Sequence, residues 1–127
     1  MAGEADLAVL LRVMRPELHA QAYGYAVSDQ AIAGAFAQIC EAEGMTVIAE
    51  VAVLAAAGIA VLAHWARITL TVHSDLAAVG LTAAIARALA AEGISANVVA
   101  GFYHDHVLVP WERRGDAMAA LRGLSDV

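Results

Sequence analysis

The sequence predicts an α+β fold, and two stretches of the chain carry that prediction. Residues 68–110 read as a strand, a helix and two more strands, because strand-like alternation of apolar residues gives way to helical spacing and then returns. Residues 35–49 contain two short apolar runs on either side of a Glu-Gly turn, the pattern of a β-hairpin. A helix that joins two strands of one sheet has to lay its apolar stripe on that sheet. We therefore expect helices packed against a β-sheet.

The first half of the chain begins with a helix. Asp6 is a suitable N-cap, and Pro16 ends the helix because proline disfavours helical geometry at the residue before it. The elements predicted next are a strand at residues 23–27, a hairpin of residues 35–41 and 45–49 with its turn at Glu43 and Gly44, and a short helix at residues 51–57. The crossover helix of this half is degenerate, since residues 31–34 amount to barely one turn.

The second half is built around one long helix. Leu81, Ile85 and Leu89 repeat at helical spacing, and Gly93 follows where a left-handed C-cap favours glycine. The predicted elements are a strand at residues 68–72, this helix to residue 92, strands at residues 94–102 and 107–109 with a tip at residues 103–106, and a helix at residues 114–124. No strand remains after that helix. A four-stranded second unit must therefore borrow one, either from residues 23–27 or from a neighbouring molecule.

The loop from Ser74 to Gly80, which precedes the long helix, is the first candidate binding site. Ser74 and Asp75 are good helix-capping residues, and Gly80 lets a ligand or another backbone come close. Unpaired amides at a helix start carry the positive end of the helix dipole and can hold a carboxylate or a phosphate. The same residues also suit ordinary helix capping, and the loop sequence alone leaves both interpretations open.

The chain resembles a known family in its second half above all. The run VGLTAAIARALAAEGISANVV, residues 79–99, resembles the helix and second strand of ACT domains, the small regulatory modules appended to aspartokinases and other amino-acid enzymes. Together with MRPEL at residues 14–18, EAEGMT at residues 41–46 and NVVAGFYHDHVLVP at residues 97–110, the pattern is similar to small free-standing bacterial ACT-like proteins without an assigned activity. The similarity covers nearly the entire chain.

The resemblance implies tandem ACT-like units of ferredoxin-like topology, with antiparallel sheets and helices packed on one face. The units would be residues 1–64, a degenerate first unit, and residues 65–127. It also implies a small ligand, usually an amino acid, held at a junction between units. Matched residue by residue, the ligand-facing positions would be Val79, Gly80 and Leu81, with Ser95 and Asn97 at the start of the next strand and His73, Ser74 and Asp75 along the same loop.

An α-amino acid needs donors for its carboxylate and acceptors for its ammonium group. Amides near Gly80 suit the first requirement, and Asp75 or the Asn97 carbonyl suits the second. Asn97 could equally satisfy only its own strand end. No cofactor is implied.

Composition excludes some classes of partner and favours others. The chain has 127 residues, of which 61% are hydrophobic, and a mean hydropathy of +0.69. That is more apolar surface than a domain this small easily hides, so we expect a homodimer or a higher oligomer. The net charge is −6, and all 7 basic residues are arginines without a basic stripe. Binding to nucleic acid or to an anionic membrane surface is therefore not expected.

Three further features bear on location. Cys40 is the single cysteine, so no internal disulfide can form, and the acidic start of the chain is unlike a secretory signal, which together indicate a cytoplasmic protein. Residues 45–66 are long and apolar enough to cross a bilayer, but Glu50 and Gly58 argue for buried elements instead. Cys40 itself is expected to be a buried packing residue.

The best candidates for metal binding or catalysis are His104, Asp105 and His106, which are consecutive in the sequence. Two imidazoles one residue apart could share a metal with His73 as a third ligand, or Asp105 could orient a histidine for acid-base catalysis. The plainer alternative is a polar hairpin tip. No activated nucleophile and no phosphate-binding glycine loop accompanies the cluster.

Three hypotheses follow from the sequence. The first is a non-enzymatic regulatory module of ACT type that binds an amino acid or a similar small molecule. The second is an oligomerisation or partner-binding domain without a ligand. The third is a small metal-dependent enzyme that uses His73, His104 and His106.

Overall fold

A computed structural model describes residues 3–125 of the chain. The elements are α1 (Leu7–Val13), β1 (Pro16–Ser28), β2 (Ala37–Glu41), β3 (Gly44–Glu50), α2 (Val51–Ala56), β4 (Trp65–Leu70), α3 (Leu81–Ala91), β5 (Asn97–Ala100), β6 (Asp105–Pro110), a 3-10 turn (Trp111–Arg113) and α4 (Arg114–Ser125). The predicted α+β class is confirmed.

The strands form a six-stranded sheet in the order β2-β3-β1-β4-β6-β5. The pairs β2–β3, β1–β3 and β5–β6 are antiparallel. The first hairpin closes with Glu41 opposite Gly44, at the predicted turn, and the last hairpin closes with Ala100 opposite Asp105. In this order, β1 of the same chain lies beside β4, which is one of the two sources expected for the missing strand of the second unit.

The chain divides into two compact units, within the described residues. Unit 1 comprises Met1–His19 and Ala66–Val127, and unit 2 comprises Ala20–Trp65. Strand β1 supplies its first residues to unit 1 and the rest to unit 2. These compact units differ from the two predicted ACT-like units, residues 1–64 and 65–127. The boundary between residues 64 and 65 stays a prediction.

Unit 1 has one hydrophobic core shared by α1, α3 and α4. Leu10, Ile85 and Leu121 from these helices are fully buried with Ile68 and Val107 of the sheet. Burial of each such side chain contributes roughly 1.5–3 kcal/mol. The core holds all the helices of this unit on the face of β4 that carries Ile68.

The ends of the helices in unit 1 follow the sequence closely. Asp6 Oδ1 accepts a hydrogen bond of 3.1 Å from the amide of Val9, so the predicted cap of α1 forms. Helix α3 ends with Glu92 as its C-cap, and Gly93 follows with a φ of 68°, as predicted. Helix α4 covers the predicted residues 114–124.

Unit 2 has a smaller core made by Val47, Ala49 and Leu54. Gly24 in β1 lies against this core, since a β-carbon there would stand 2.7 Å from Val61 Cγ2. Residues 29–36 contain turns and bends but no helix, so the crossover between β1 and β2 leaves the adjacent surface uncovered.

Several predicted boundaries need correction. Strand β1 begins at Pro16 rather than residue 23, because proline is tolerated at the first position of a strand. Strand β5 is limited to Asn97–Ala100, and the Gly101 amide donates to the His104 carbonyl at 2.9 Å. The tip is therefore Gly101–His104, while Asp105 and His106 belong to β6.

Two more expectations concern residues 40–66. Cys40 is exposed on β2, at an edge of the sheet, so the prediction that it packs in the interior is wrong. The apolar run at residues 45–66 forms β3, α2, a connecting segment and the start of β4. Val47, Ile48 and Ala49 of β3 are buried, as expected, whereas most of residues 55–64 are exposed. Among the helices described, none has the length and apolar character that a membrane crossing requires.

Candidate functional site

The predicted site loop at residues 73–81 lies in unit 1 and is held by the N-terminal segment. The Glu4 amide donates to the His73 carbonyl at 2.9 Å, and the Asp75 amide donates to the Glu4 carbonyl at 2.8 Å. Asp75 Oδ1 accepts from the Ala77 amide at 2.8 Å, which closes a local turn. One oxygen of the Asp75 carboxylate is therefore already used in a hydrogen bond within the loop.

The start of α3 is covered by another helix. Gly80 is the N-cap with a φ of 101°, and no side chain caps the helix there. A β-carbon on Gly80 would stand 3.0 Å from Leu7 Cδ2 in α1. Leu81 is buried in the core, whereas Val79 is 83% exposed. Of the three predicted backbone positions, only Val79 presents its side chain to solvent.

Ser74 and Asp105 meet beside this loop. Ser74 Oγ donates to Asp105 Oδ2 at 3.4 Å, and Asp105 is only 8% exposed. Burial raises the pKa of Asp105, although the hydrogen bond from Ser74 and the charge of His104 act in the opposite direction. The sequence placed Asp105 at a solvent-facing tip, but the structure places it against the loop.

A cavity of about 70 Å³ lies next to this pair. Its lining consists of Ser74, Asp75, Leu76, Ala78, Leu81, Thr82, Ala100 and Asp105. Ligand sites typically measure several hundred Å³, so this space admits a few waters rather than an amino acid.

Ser95 and Asn97 do not line that cavity. Both are exposed, and Asn97 pairs with Leu108, whereas Ala100 at the other end of β5 reaches the cavity. Asn97 and Ala100 are at opposite ends of the four-residue strand β5, roughly 10 Å apart. The structure therefore brings together Ser74, Asp75, Leu81 and Asp105 from the predicted set, and leaves Ser95 and Asn97 apart from them.

The histidines near the hairpin tip have separate partners. His104 Nδ1 lies 3.2 Å from the Val72 carbonyl, and the His73 ring packs against Tyr103 and Phe102 with ring centroids 5.5 and 6.4 Å apart. Across the described residues, no three His, Cys, Asp or Glu side chains are grouped as a metal site requires. The third sequence hypothesis thus has no assembled ligand set in this part of the chain.

His106 belongs to a polar cluster on the sheet. Its Nδ1 lies 2.9 Å from Thr69 Oγ1, and Thr69 Oγ1 also lies 2.7 Å from His19 Nε2. Burial lowers the pKa of His106 to about 4, and the charges of Arg67, His104 and His19 act in the same direction. At neutral pH the ring of His106 is therefore uncharged, and Arg67 Nη2 lies 3.4 Å from its Nδ1.

A much larger cavity lies in unit 2, at the end of β1. It measures about 740 Å³. Its lining consists of Val27, Ser28, Asp29, Gln30, Ala31, Ile32, Ala33, Val53, Ala56, Ala57 and Ile59. The cavity lies between residues 29–33, which form no helix, and α2 with the residues that follow it. Its volume falls within the range usual for small-molecule sites.

The polar side of this cavity is ordered by short-range hydrogen bonds. Ser28 Oγ donates to the Gln30 carbonyl at 2.6 Å and accepts from the Gln30 amide at 3.1 Å. The Ile32 amide donates to Gln38 Oε1 at 3.0 Å. The opposite side is apolar, with Val53 and Ile59 packed against the core of unit 2. The cavity thus combines a polar loop with an apolar wall.

A repeated loop sequence, which the periodicity of the chain does not reveal, marks the polar side of this cavity. Residues 28–34 read SDQAIAG and residues 74–80 read SDLAAVG, with serine, aspartate, alanine and glycine at matching places. Gly34 and Gly80 both have positive φ, 86° and 101°. Each loop follows a strand of the sheet. The two loops are therefore equivalent in sequence, in backbone geometry at the glycine and in position after a strand.

Both halves of the chain match the same kind of domain in a comparison with known families. An ACT domain profile matches residues 63–123, and a second ACT domain profile matches residues 2–65. Sequence comparison with curated proteins finds no match.

Solved structures give the same fold. A Vibrio cholerae protein of unknown function, described as a possible transport protein, is 43% identical and has a TM-score of 0.82, with 94% of this chain and 95% of that chain covered. The regulatory subunit of aspartate kinase from Thermus thermophilus is 15% identical with a TM-score of 0.62, covering 89% of this chain and 97% of that one. At that identity the similarity shows the fold alone.

Proposed function

The chain belongs to the ACT domain family, and we propose that it acts as a non-catalytic regulatory module that binds a small molecule, an α-amino acid. ACT domains are typically regulatory modules that bind small ligands. Two profiles that together cover nearly the whole chain support two such repeats in this protein.

The cavity of about 740 Å³ in unit 2 carries the proposal. It is bounded by the loop that repeats the Ser-Asp-x-Ala-x-x-Gly pattern, and it has room for a ligand. The equivalent loop in unit 1 borders a cavity of only about 70 Å³. We therefore propose that the ligand binds beside residues 28–33.

The chemistry of the lining fits an amino acid. Asp29 provides carboxylate acceptors for an ammonium group, and Gln30 provides amide donors for a carboxylate. Ile32, Val53 and Ile59 form the apolar wall, which suits an aliphatic side chain on the ligand. Asp29 and Gln30 are adjacent residues, so they can approach the neighbouring ammonium and carboxylate groups of one α-amino acid.

Thermal unfolding in the presence of each proteinogenic amino acid tests this function. A ligand that binds the folded state raises Tm as its concentration increases. The matched variants are Asp29→Asn and Asp75→Asn, because the two residues hold the same place in the two loops. We expect Asp29→Asn to remove the response and Asp75→Asn to retain it.

The opposite result would move the site to the loop of unit 1. Loss of the response in Asp75→Asn alone would support the site predicted from the sequence, with His73, Val79, Gly80 and the other residues of that set. The absence of any response to all amino acids would favour a domain that binds a partner protein or only oligomerises.

We also propose that the protein forms a homodimer, and its default location is the cytoplasm. Unit 1 exposes large apolar side chains near the predicted loop: Val79 is 83% exposed, Tyr103 64% and Phe102 62%. Phe102 and Tyr103 pack edge to face with ring centroids 5.1 Å apart. Exposed aromatic residues of this kind are enriched at protein interfaces.

A further inference from the structure

Three arginines line a second cavity in unit 1. It measures about 510 Å³ and lies where α1 ends, β1 begins and α4 ends. Its lining consists of Arg12, Met14, Arg15, Pro16, Arg122 and Ser125. It is separate from the cavity of unit 2 and shares no residue with it.

The charge around this cavity is unusual for the chain. The protein has a net charge of −6 and 7 basic residues, yet Arg12, Arg15 and Arg122 line this one cavity. Among residues 3–125, no aspartate or glutamate lines this cavity. Within residues 3–125, the ion pair that forms joins Arg113 to Asp116, elsewhere on the molecule. Three positively charged residues therefore border one cavity, and no acidic residue of the described lining offsets their charge.

Helix stabilisation explains only part of this arrangement. Arg12 and Arg122 lie in the last turns of α1 and α4, where a cation interacts favourably with the negative end of the helix dipole. Arg15 lies outside both helices, between α1 and β1. Its carbonyl accepts hydrogen bonds from the Thr71 amide at 3.3 Å and from Thr71 Oγ1 at 2.9 Å. Those contacts use the backbone of Arg15, not its guanidinium group.

The frame of the cavity is held by contacts that do not involve the arginine side chains. Ser125 Oγ donates to the Met14 carbonyl at 3.1 Å, which joins the end of α4 to the end of α1. Met14 is fully buried in the core. The ends of α1 and α4 that carry these arginines are therefore held together, and the three arginines line the cavity between them.

We propose that this cavity binds a small polyanion that carries a phosphate group, as a second ligand of the protein. Guanidinium groups bind phosphate oxygens with pairs of parallel hydrogen bonds, so three of them match a group with several charged oxygens. A polyanion offsets the positive charge of the three arginines, whereas an amino acid without net charge does so poorly. This ligand is chemically distinct from the one proposed for unit 2.

Inorganic pyrophosphate is the test ligand, compared with chloride at equal ionic strength. We expect pyrophosphate to raise Tm by about 5 °C at saturating concentration. Arg15→Gln should weaken pyrophosphate binding at least tenfold, and Arg15→Lys should restore part of it, because lysine keeps the charge but loses the paired geometry. Arg87→Gln is the control, since Arg87 is exposed on α3 and does not line the cavity.

Three outcomes would overturn the proposal. They are no dependence of Tm on pyrophosphate, an unchanged response in Arg15→Gln, and an equal loss of response in Arg87→Gln. Binding to phosphatidylglycerol vesicles without any response to pyrophosphate would also overturn it, because the charged ends would then contact a lipid surface. The amino-acid response of unit 2 is measured separately, so failure of either site does not affect the other.

Discussion

Leu7 in α1 lies directly against Gly80 at the start of α3, so that a β-carbon on the glycine would stand 3.0 Å from Leu7 Cδ2. The φ of Gly80, 101°, is also one that L residues rarely adopt. The leading turn of α3 is therefore closed by the protein's own side chain. A ligand therefore cannot approach Gly80 from the side that Leu7 occupies.

Replacement of Gly80 with alanine should destabilise unit 1 strongly. Backbone strain at positive φ costs of order 1–3 kcal/mol, and the contact with Leu7 adds about 1–3 kcal/mol of overpacking. Gly93→Ala is the matched control, because Gly93 has a φ of 68° but nothing within 4 Å of its β-carbon position. Urea denaturation of both variants gives the difference. Equal losses in the two variants would show that Leu7 does not obstruct this position.

The pKa of His106 predicts a defined pH dependence of stability. Its folded value is about 4 and the ordinary value is 6.5, so the unfolded state binds a proton more readily between these pH values. The stability contributed by the neutral ring is complete above about pH 6.5 and is lost as the pH falls toward 4. Partial exposure of His106 to solvent reduces the size of this effect.

Two measurements check the His106 prediction. The ring-proton chemical shift should titrate with a midpoint well below 6.5 in the folded protein. His106→Gln should flatten the decrease in the free energy of unfolding between neutral pH and pH 4. A midpoint near 6.5 would mean that the ring is not desolvated by its neighbours.

Asp105 should show the opposite dependence. Its pKa is raised by burial, so the folded state takes up a proton more readily than the unfolded state, and stability is gained as the pH falls toward that pKa. Asp105→Asn removes the charge and keeps an oxygen that can accept from Ser74. We expect the variant to be as stable as the wild type, or more stable, at neutral pH in urea denaturation. A marked loss would show that the carboxylate makes favourable contacts there.

The sequence predicts most of the fold because its periodic signals are local. The stripe of Leu81, Ile85 and Leu89 and the caps at Asp6 and Gly93 depend on neighbours along the chain, and the structure confirms them. The start of β1 was missed because its pairing beside β4 is non-local. Alternation cannot reveal which distant strand a segment joins.

The candidate site was less accessible to sequence reasoning for a physical reason. A capping loop and a ligand loop have the same residue types, and only the packing around them decides which one has space. Leu7 comes from 73 residues before Gly80, and its position over the loop has no sequence signature. The repeat of Ser28-Asp29 and Ser74-Asp75 was visible, but the size of each adjoining cavity was not.

Self-association should depend on the exposed aromatic pair of unit 1. Phe102→Ser removes a large apolar side chain that is 62% exposed, and interface aromatics commonly contribute 2 kcal/mol or more, so we expect the dimer Kd to increase by roughly tenfold or more. Leu62→Ser is the control, since Leu62 is fully exposed and lies in unit 2. Sedimentation equilibrium measures both. Equal weakening, or none, would place the dimer contact elsewhere.

Filling the cavity of unit 2 should block the proposed ligand without unfolding the protein. Ala55 and Ala56 at the end of α2 are both exposed, but Ala56 lines the cavity and Ala55 does not. A phenylalanine at position 56 occupies space that the ligand needs, while phenylalanine at position 55 extends into solvent. Both substitutions change the helix propensity of α2 by similar small amounts, so their effects on stability should match. We expect the amino-acid response in thermal unfolding to disappear in Ala56→Phe and to persist in Ala55→Phe. A response that survives in Ala56→Phe would exclude this cavity as the binding site, because the ring and the ligand cannot occupy the same volume.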